Sequence, residues 1–140
     1  MSFLFSDWKL GKDIGILIFR LTFSLVLLYG HGFEKLTTVF SGQEIQFMDP
    51  IGIGSTFSFY LATFAEGVCA MLLALGLFTR MATIILIGNF LVIFSFHAFM
   101  VGDGFMILEP RIFYLASYVA LFFTGGGAFS IDSMMLNKGK

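Results

Sequence analysis

This chain of 140 residues is poor in cysteine, proline and charge, and each shortage excludes something. Cys69 stands alone, so neither an intrachain disulfide nor a thiolate zinc site can form. Eight Lys and Arg against nine Asp and Glu leave a net charge of −1, which offers no basic field to hold a nucleic acid. Two prolines and no polar low-complexity tract argue against disorder. Charged residues make up 12% of the chain, about half the ~25% of soluble domains, too few to build a water-facing shell.

What the chain does have is apolar bulk. Hydrophobic residues reach 58%, with 20 Phe and 8 Met, and the mean hydropathy is +0.94. The length suits one domain. The lipid bilayer is the solvent that such a composition requires.

Four apolar stretches approach the ~20 residues needed to cross ~30 Å of hydrocarbon. They run over about 14–36, 56–78, 81–101 and 111–129. The fourth is expected to begin after Pro110, a residue suited to the first helical turn, and to draw on 125–129 to complete its crossing. The expected fold is all-α: an antiparallel four-helix bundle integral to the membrane, forming a single transmembrane domain over 1–140. The turn at Thr79-Arg80 is so short that the second and third helices must be antiparallel neighbours. The longest loop, about 37–55, is expected outside, with room for an interfacial helix.

Lys9, Lys12, Arg80, Lys138 and Lys140 fall on one side of four spans. The other side holds Glu34, Glu44, Asp49, Asp103 and Glu109 against Lys35 and Arg111. That asymmetry predicts cytoplasmic termini. Phe3, Phe5 and Trp8 beside the first lysines read as an interfacial anchor. The first span lacks a small-x-small cleavage pattern and reads as a signal anchor.

An ionisable side chain in lipid costs several kcal/mol unless paired or hydrated, so each is a functional candidate. Glu66 lies ten residues from Thr56 and twelve from Phe78, near the midplane, where an acid suits proton exchange with a quinone or another proton-coupled substrate. A structural carboxyl paired with Arg20 is the plainer reading. Arg20, about six residues into the first span, can equally snorkel to the headgroups. His31 and His97 each lie about six residues beyond the middle of their spans, hence at one depth. Arg20, Ser24, Leu27, His31 and Glu34 follow helical spacing on one face, and Asn89 shares a face with His97. A polar seam from Arg20 through Glu66 to the histidines is therefore expected, since the alternative points these groups at lipid.

Two His with Glu66 and Glu109 lack the Glu-x-x-His spacing of bundle metal sites, so no metal is expected. His31 and His97 could ligate a haem from both sides, a minority reading without a supporting motif. Cys69, one turn from Glu66, reads as packing. Neither Gly11-x-x-x-Gly15 nor Gly125-Gly126-Gly127 has the context of a helix-packing or phosphate-binding motif.

Four runs then stand in a telling order: Gly30-His31-Gly32-Phe33-Glu34-Lys35-Leu36, Ala65-Glu66-Gly67, Gly76-Leu77-Phe78-Thr79-Arg80 and Gly125-Gly126-Gly127-Ala128-Phe129-Ser130-Ile131-Asp132. Together they resemble the DoxX family of small four-helix membrane proteins, over roughly residues 14–132. The resemblance implies a multi-pass protein of the bacterial inner membrane, related to the DoxD subunit of a thiosulfate:quinone oxidoreductase. It places Lys35, Glu66, Arg80 and Asp132 on recurrent polar positions. The Gly125-Gly126-Gly127 corner departs from the family's usual Gly-Pro-Gly.

Two functions follow. In one, the chain is a quinone-linked oxidoreductase subunit: Glu66 exchanges the catalytic proton, and His31, Lys35, Arg20, His97 and Asn89 line the binding site. Electrons then come from a redox partner protein or a soluble donor, since no nucleotide motif is present. In the other, the chain is a non-enzymatic small-solute carrier or an assembly and anchor subunit. Four helices without an internal repeat are few for alternating access unless the chain forms a homo-oligomer.

Overall fold

A computed structural model describes residues 7–138. Phe3, Phe5 and Lys140 lie outside them. Four helices are long and apolar enough to cross a membrane: α1 (Lys9–Ser41), α2 (Ser55–Leu75), α3 (Thr79–Val101) and α4 (Phe105–Thr124). A short α5 covers Ile131–Lys138. The long helices run up and down in chain order, and each packs on the two beside it, closing an antiparallel ring. One end of the ring, the terminal face, carries the start of α1, the α2–α3 turn and α5. The other, the loop face, carries the 42–54 loop and the α3–α4 turn.

The bundle is polar inside and apolar outside, as a lipid solvent dictates. Arg20, Ser24, Thr63, Glu66, Thr83 and Ser117 are buried beside Leu27, Leu73, Leu86 and Leu121, while Ile18, Val26, Phe57, Phe64, Ile84 and Phe123 are exposed. Three of these hydroxyls are paired within their own helices. Ser24 donates to the Arg20 carbonyl (2.7 Å), Thr83 to that of Thr79 (3.0 Å) and Ser117 to that of Phe113 (2.6 Å), as membrane helices require.

Three of the spans contain a π-helical stretch, at Leu28–Gly32, Phe64–Cys69 and Phe96–Val101. Each widens the helix and rotates everything beyond it relative to an ideal 3.6-residue repeat. The expected α1 face therefore breaks midway. Arg20, Ser24 and Leu27 are buried as the spacing requires, but His31 and Glu34 are exposed, and Leu28 and Gly32 take the buried positions.

Two boundaries differ from expectation. At 33 residues α1 spans about 50 Å at 1.5 Å per residue, well beyond the hydrocarbon, so the helix foreseen in the long loop is its own continuation. The fourth helix occupies 105–124 rather than 111–129. Pro110 sits inside it, close enough to the start that its missing N–H forfeits one bond. At the far end Gly125, with φ 69°, leaves the helical region and turns the chain toward α5, so 125–129 does not extend the crossing.

The terminal face is fastened by Asp132. Its carboxylate accepts the Phe78 and Thr79 amides, each at 2.8 Å, and so caps the start of α3 from 53 or 54 residues away. The Asp132 amide donates to the Gly76 carbonyl at 2.9 Å. This pairing holds Phe78 at φ 50°, a left-handed conformation unusual for a bulky residue. Burial opposes ionisation of Asp132, but the Thr79 and Phe78 hydrogen bonds and the Arg20 charge outweigh it and hold the carboxyl below its ordinary range. The folded value being the lower one, the cap's contribution is complete above the unfolded value of about 4 and is lost as pH falls through the folded one. Asp132→Ala is thus expected to cost about 1 kcal/mol at pH 7. In detergent, its thermal unfolding should converge with that of the wild type as the medium is acidified below about pH 4.

Candidate functional site

The site begins where α1 and α2 come closest. A Cβ on Gly32 would collide with the Glu66 carbonyl oxygen, and one on Gly67 would press into the Leu36 side chain. Only glycine lets the two π-helical stretches meet this closely. The contact brings Lys35 over Glu66: Lys35 Nζ lies 2.8 Å from Oε2. From α3, Asn89 Nδ2 donates to Oε1 at 3.0 Å. Glu66 is 4% exposed. Both of its oxygens are served, by a cation from one neighbouring helix and an amide from another. Desolvating such a pair costs several kcal/mol per ion. A bundle that needed only to fold could use apolar residues there.

A second polar cluster lies at the same face. His97 Nδ1 is 2.6 Å from Asp103 Oδ2, and Arg111 of α4 approaches His97 Nε2 at 3.0 Å. A guanidinium only donates, so Nε2 accepts, and the ring proton in this arrangement is on Nδ1 facing Asp103. The Asp103 amide donates to the His97 carbonyl at 2.9 Å, closing the α3–α4 turn around the ring. Arg111 Nε is buried and makes no hydrogen bond among the described residues.

Between these groups is a cavity of about 370 Å³. Glu66, Lys35 and His31 line it, as do His97 and Arg111. Phe90, Phe96 and Tyr114 give it aromatic walls, with the Phe90 and Tyr114 rings 4.9 Å apart. Phe47, Met48 and Pro50 close over it from the 42–54 loop. Asp49 braces that loop, accepting the Gly54 amide (2.8 Å), the Ile53 amide (3.0 Å) and the Ser58 hydroxyl (2.9 Å). The Gly54 amide above all, with the other donors, holds the Asp49 carboxyl below its ordinary range. Two cations, Lys35 and Arg111, are set against two acids, Glu66 and Asp103. The cavity thus sets balanced ionisable groups in a largely apolar lining.

Of the residues singled out from sequence, His31, Lys35, Glu66 and His97 line this cavity, and Asn89 reaches it through Glu66. Arg20 does not join them. Its guanidinium donates at 2.9 Å to the carbonyls of Leu73, Ala74 and Phe129, at the terminal face. The seam expected from Arg20 to Glu66 is therefore two separate sites, and the partner of Glu66 is Lys35. Both ring nitrogens of His97 are engaged, Nδ1 by Asp103 and Nε2 by Arg111. Among the described residues no three His, Cys, Asp or Glu side chains converge as a metal site. Sequence reading missed the roles of Asp103, Arg111 and Asp49, which counted only as charges on the outer side. The proximity of Asp103 to His97, six residues apart across a glycine turn, was the one available signal.

Helix count, apolar exterior and a partly open cavity in which a few ionisable groups face aromatic walls together define a small four-helix membrane protein with a ligand-sized site at one end. The sequence model of the DoxX family matches residues 15–98, more than half of the chain, and the protein belongs to that family. The matched stretch contains His31, Lys35, Glu66, Asn89 and His97, whereas Asp103, Arg111 and all of α4 lie beyond it. Neither the search of curated proteins nor that of solved structures gave a match.

Proposed function

We propose that this DoxX-family protein is a quinone-linked oxidoreductase subunit of a bacterial inner membrane, with its termini in the cytoplasm and the cavity near the outer leaflet. The observation that carries this reading is the cavity: aromatic walls for a flat ring, and hydrogen-bonding groups from two separate clusters for its oxygens. Reduction of a quinone to a quinol takes up two electrons and two protons. Electrons arrive from a partner protein or a soluble donor. Glu66 passes on the two protons one at a time, taking up each from water at the open side of the cavity, and Lys35 and Asn89 aim its carboxylate. Arg111 donates to a ring oxygen, and His97 steadies its guanidinium. The basic residues at the terminal face support the orientation.

The test is an oxidised-minus-reduced spectrum of protein purified with its lipids. A near-ultraviolet change typical of a quinone is expected, and a flat spectrum overturns the reading. Glu66→Gln retains the Asn89 contact and should keep the quinone bound. It should also lower the quinone reduction rate that the protein adds to membrane vesicles by about 100-fold or more. Full activity in that variant would remove Glu66 from the chemistry.

A further inference from the structure

A second hollow adjoins the cavity. It is a groove of about 270 Å³ between α2 and α3. Phe47, Pro50 and Ile93 line both spaces, so the two share a wall. Asn89 also lines the groove while its amide holds Glu66. The remaining surface is largely apolar, with Leu61 and Ala65 on α2 facing Ile85 and Val92 on α3. Ile85, Gly88, Asn89 and Val92 fall at i, i+3, i+4 and i+7, so the groove follows one face of α3 for about 10 Å.

Gly88 is the informative residue. Glycine weakens a helix interior, and at Gly32 and Gly67 it serves contact, since neither has room for a Cβ. Gly88 differs, since a Cβ there would meet nothing within 4 Å. It does not serve helix approach. What its missing side chain does is leave the groove open.

We infer that the groove between α2 and α3 holds the isoprenoid tail of the quinone whose ring occupies the cavity, so that the ligand enters sideways from the lipid. This rests on the quinone reading above. The charge balance of the cavity favours it over a phospholipid chain: Lys35 is matched by Glu66, and Arg111 is linked to Asp103 through His97. A phosphate would enter with its charge uncompensated, whereas a quinone head is neutral. The shared wall lets one ligand occupy both spaces.

The experiment compares two probes on the purified protein: a benzoquinone with a short isoprenoid tail and the same ring without it. Wild type should bind the tailed probe at least about tenfold more tightly, from the apolar surface buried in the groove. Gly88→Leu, whose Cβ meets nothing within 4 Å and whose side chain takes up groove space, should erase about that tenfold and leave the tailless probe unchanged. Gly15→Leu, an equally unobstructed glycine on α1, should alter neither. Equal binding of both probes by wild type, or an equal effect of Gly88→Leu on both, overturns the inference. If neither ring binds, the quinone reading falls, and the groove is then read by an isoprenoid alcohol bearing a terminal diazirine. Labelling of Leu61, Ile85 and Val92 that Gly88→Leu abolishes supports an isoprenoid channel. Scattered labelling, or equal labelling by a diazirine phospholipid, overturns it.

Discussion

Lys35→Met is expected to destabilise the protein by about 3–5 kcal/mol, the cost of stranding a buried charge. Lys35 and Glu66 have side chains 15% and 5% exposed, so removing the cation leaves a carboxylate with little water and one remaining donor, Asn89. The double variant Lys35→Met/Glu66→Met should recover most of the loss, because an apolar pair of similar volume replaces two desolvated ions. Thermal unfolding in detergent reads both effects. A single Lys35→Met variant as stable as the wild type would mean that the pair is solvated through the cavity mouth. Recovery of stability without recovery of quinone reduction would separate the pair's structural cost from its use.

Arg20→Leu should be comparably damaging at the opposite end of the bundle. The last carbonyls of a helix lack intrahelical partners, and α2 ends at Leu75. The Leu77 amide serves Leu72 and the Gly76 amide serves Leu73. Arg20 supplies Ala74, adds a second bond to Leu73, and reaches across to Phe129 beyond the glycine corner. A fully buried carbonyl left without a donor costs about 1–3 kcal/mol, and the Ala74 and Phe129 bonds are part-buried, so their loss together predicts about 2–4 kcal/mol. Arg20→Lys should recover only part of it. One ammonium cannot reproduce the fork that serves the helix end and Phe129 together. Protease sensitivity near 125–131 should rise in both variants, and cavity binding should not change. A weakened cavity in Arg20→Lys would mean that the two sites are coupled.

The difference between these two residues shows where sequence reasoning stopped. Both Arg20 and Glu66 were recognisable as charges at membrane depth, and pairing them was the economical reading. The pairing fails because each finds closer partners. Arg20 meets the open end of α2, and Glu66 meets Lys35. The register of α1 failed for a related reason. Past its π-helical stretch at Leu28–Gly32, His31 and Glu34 are exposed while Lys35 lies against Glu66. Nothing in the local composition announces that turn, since it accompanies a contact with α2 at Gly32 and Gly67. Asp103 and Arg111 were visible only as charges of one side until the α3–α4 turn placed His97 between them.

By itself the sequence determined the class of protein. Span number, an all-helical chain and a membrane setting follow from composition and from apolar runs of bilayer length, which are local and additive quantities. It also identified most of the cavity's ionisable residues, because hydrocarbon tolerates so few. Only the tertiary structure decided which of them meet. Pairing depends on helix rotation, on the phase added by each π turn and on the glycines that set interhelical distance, and these come from contacts between segments distant in the chain.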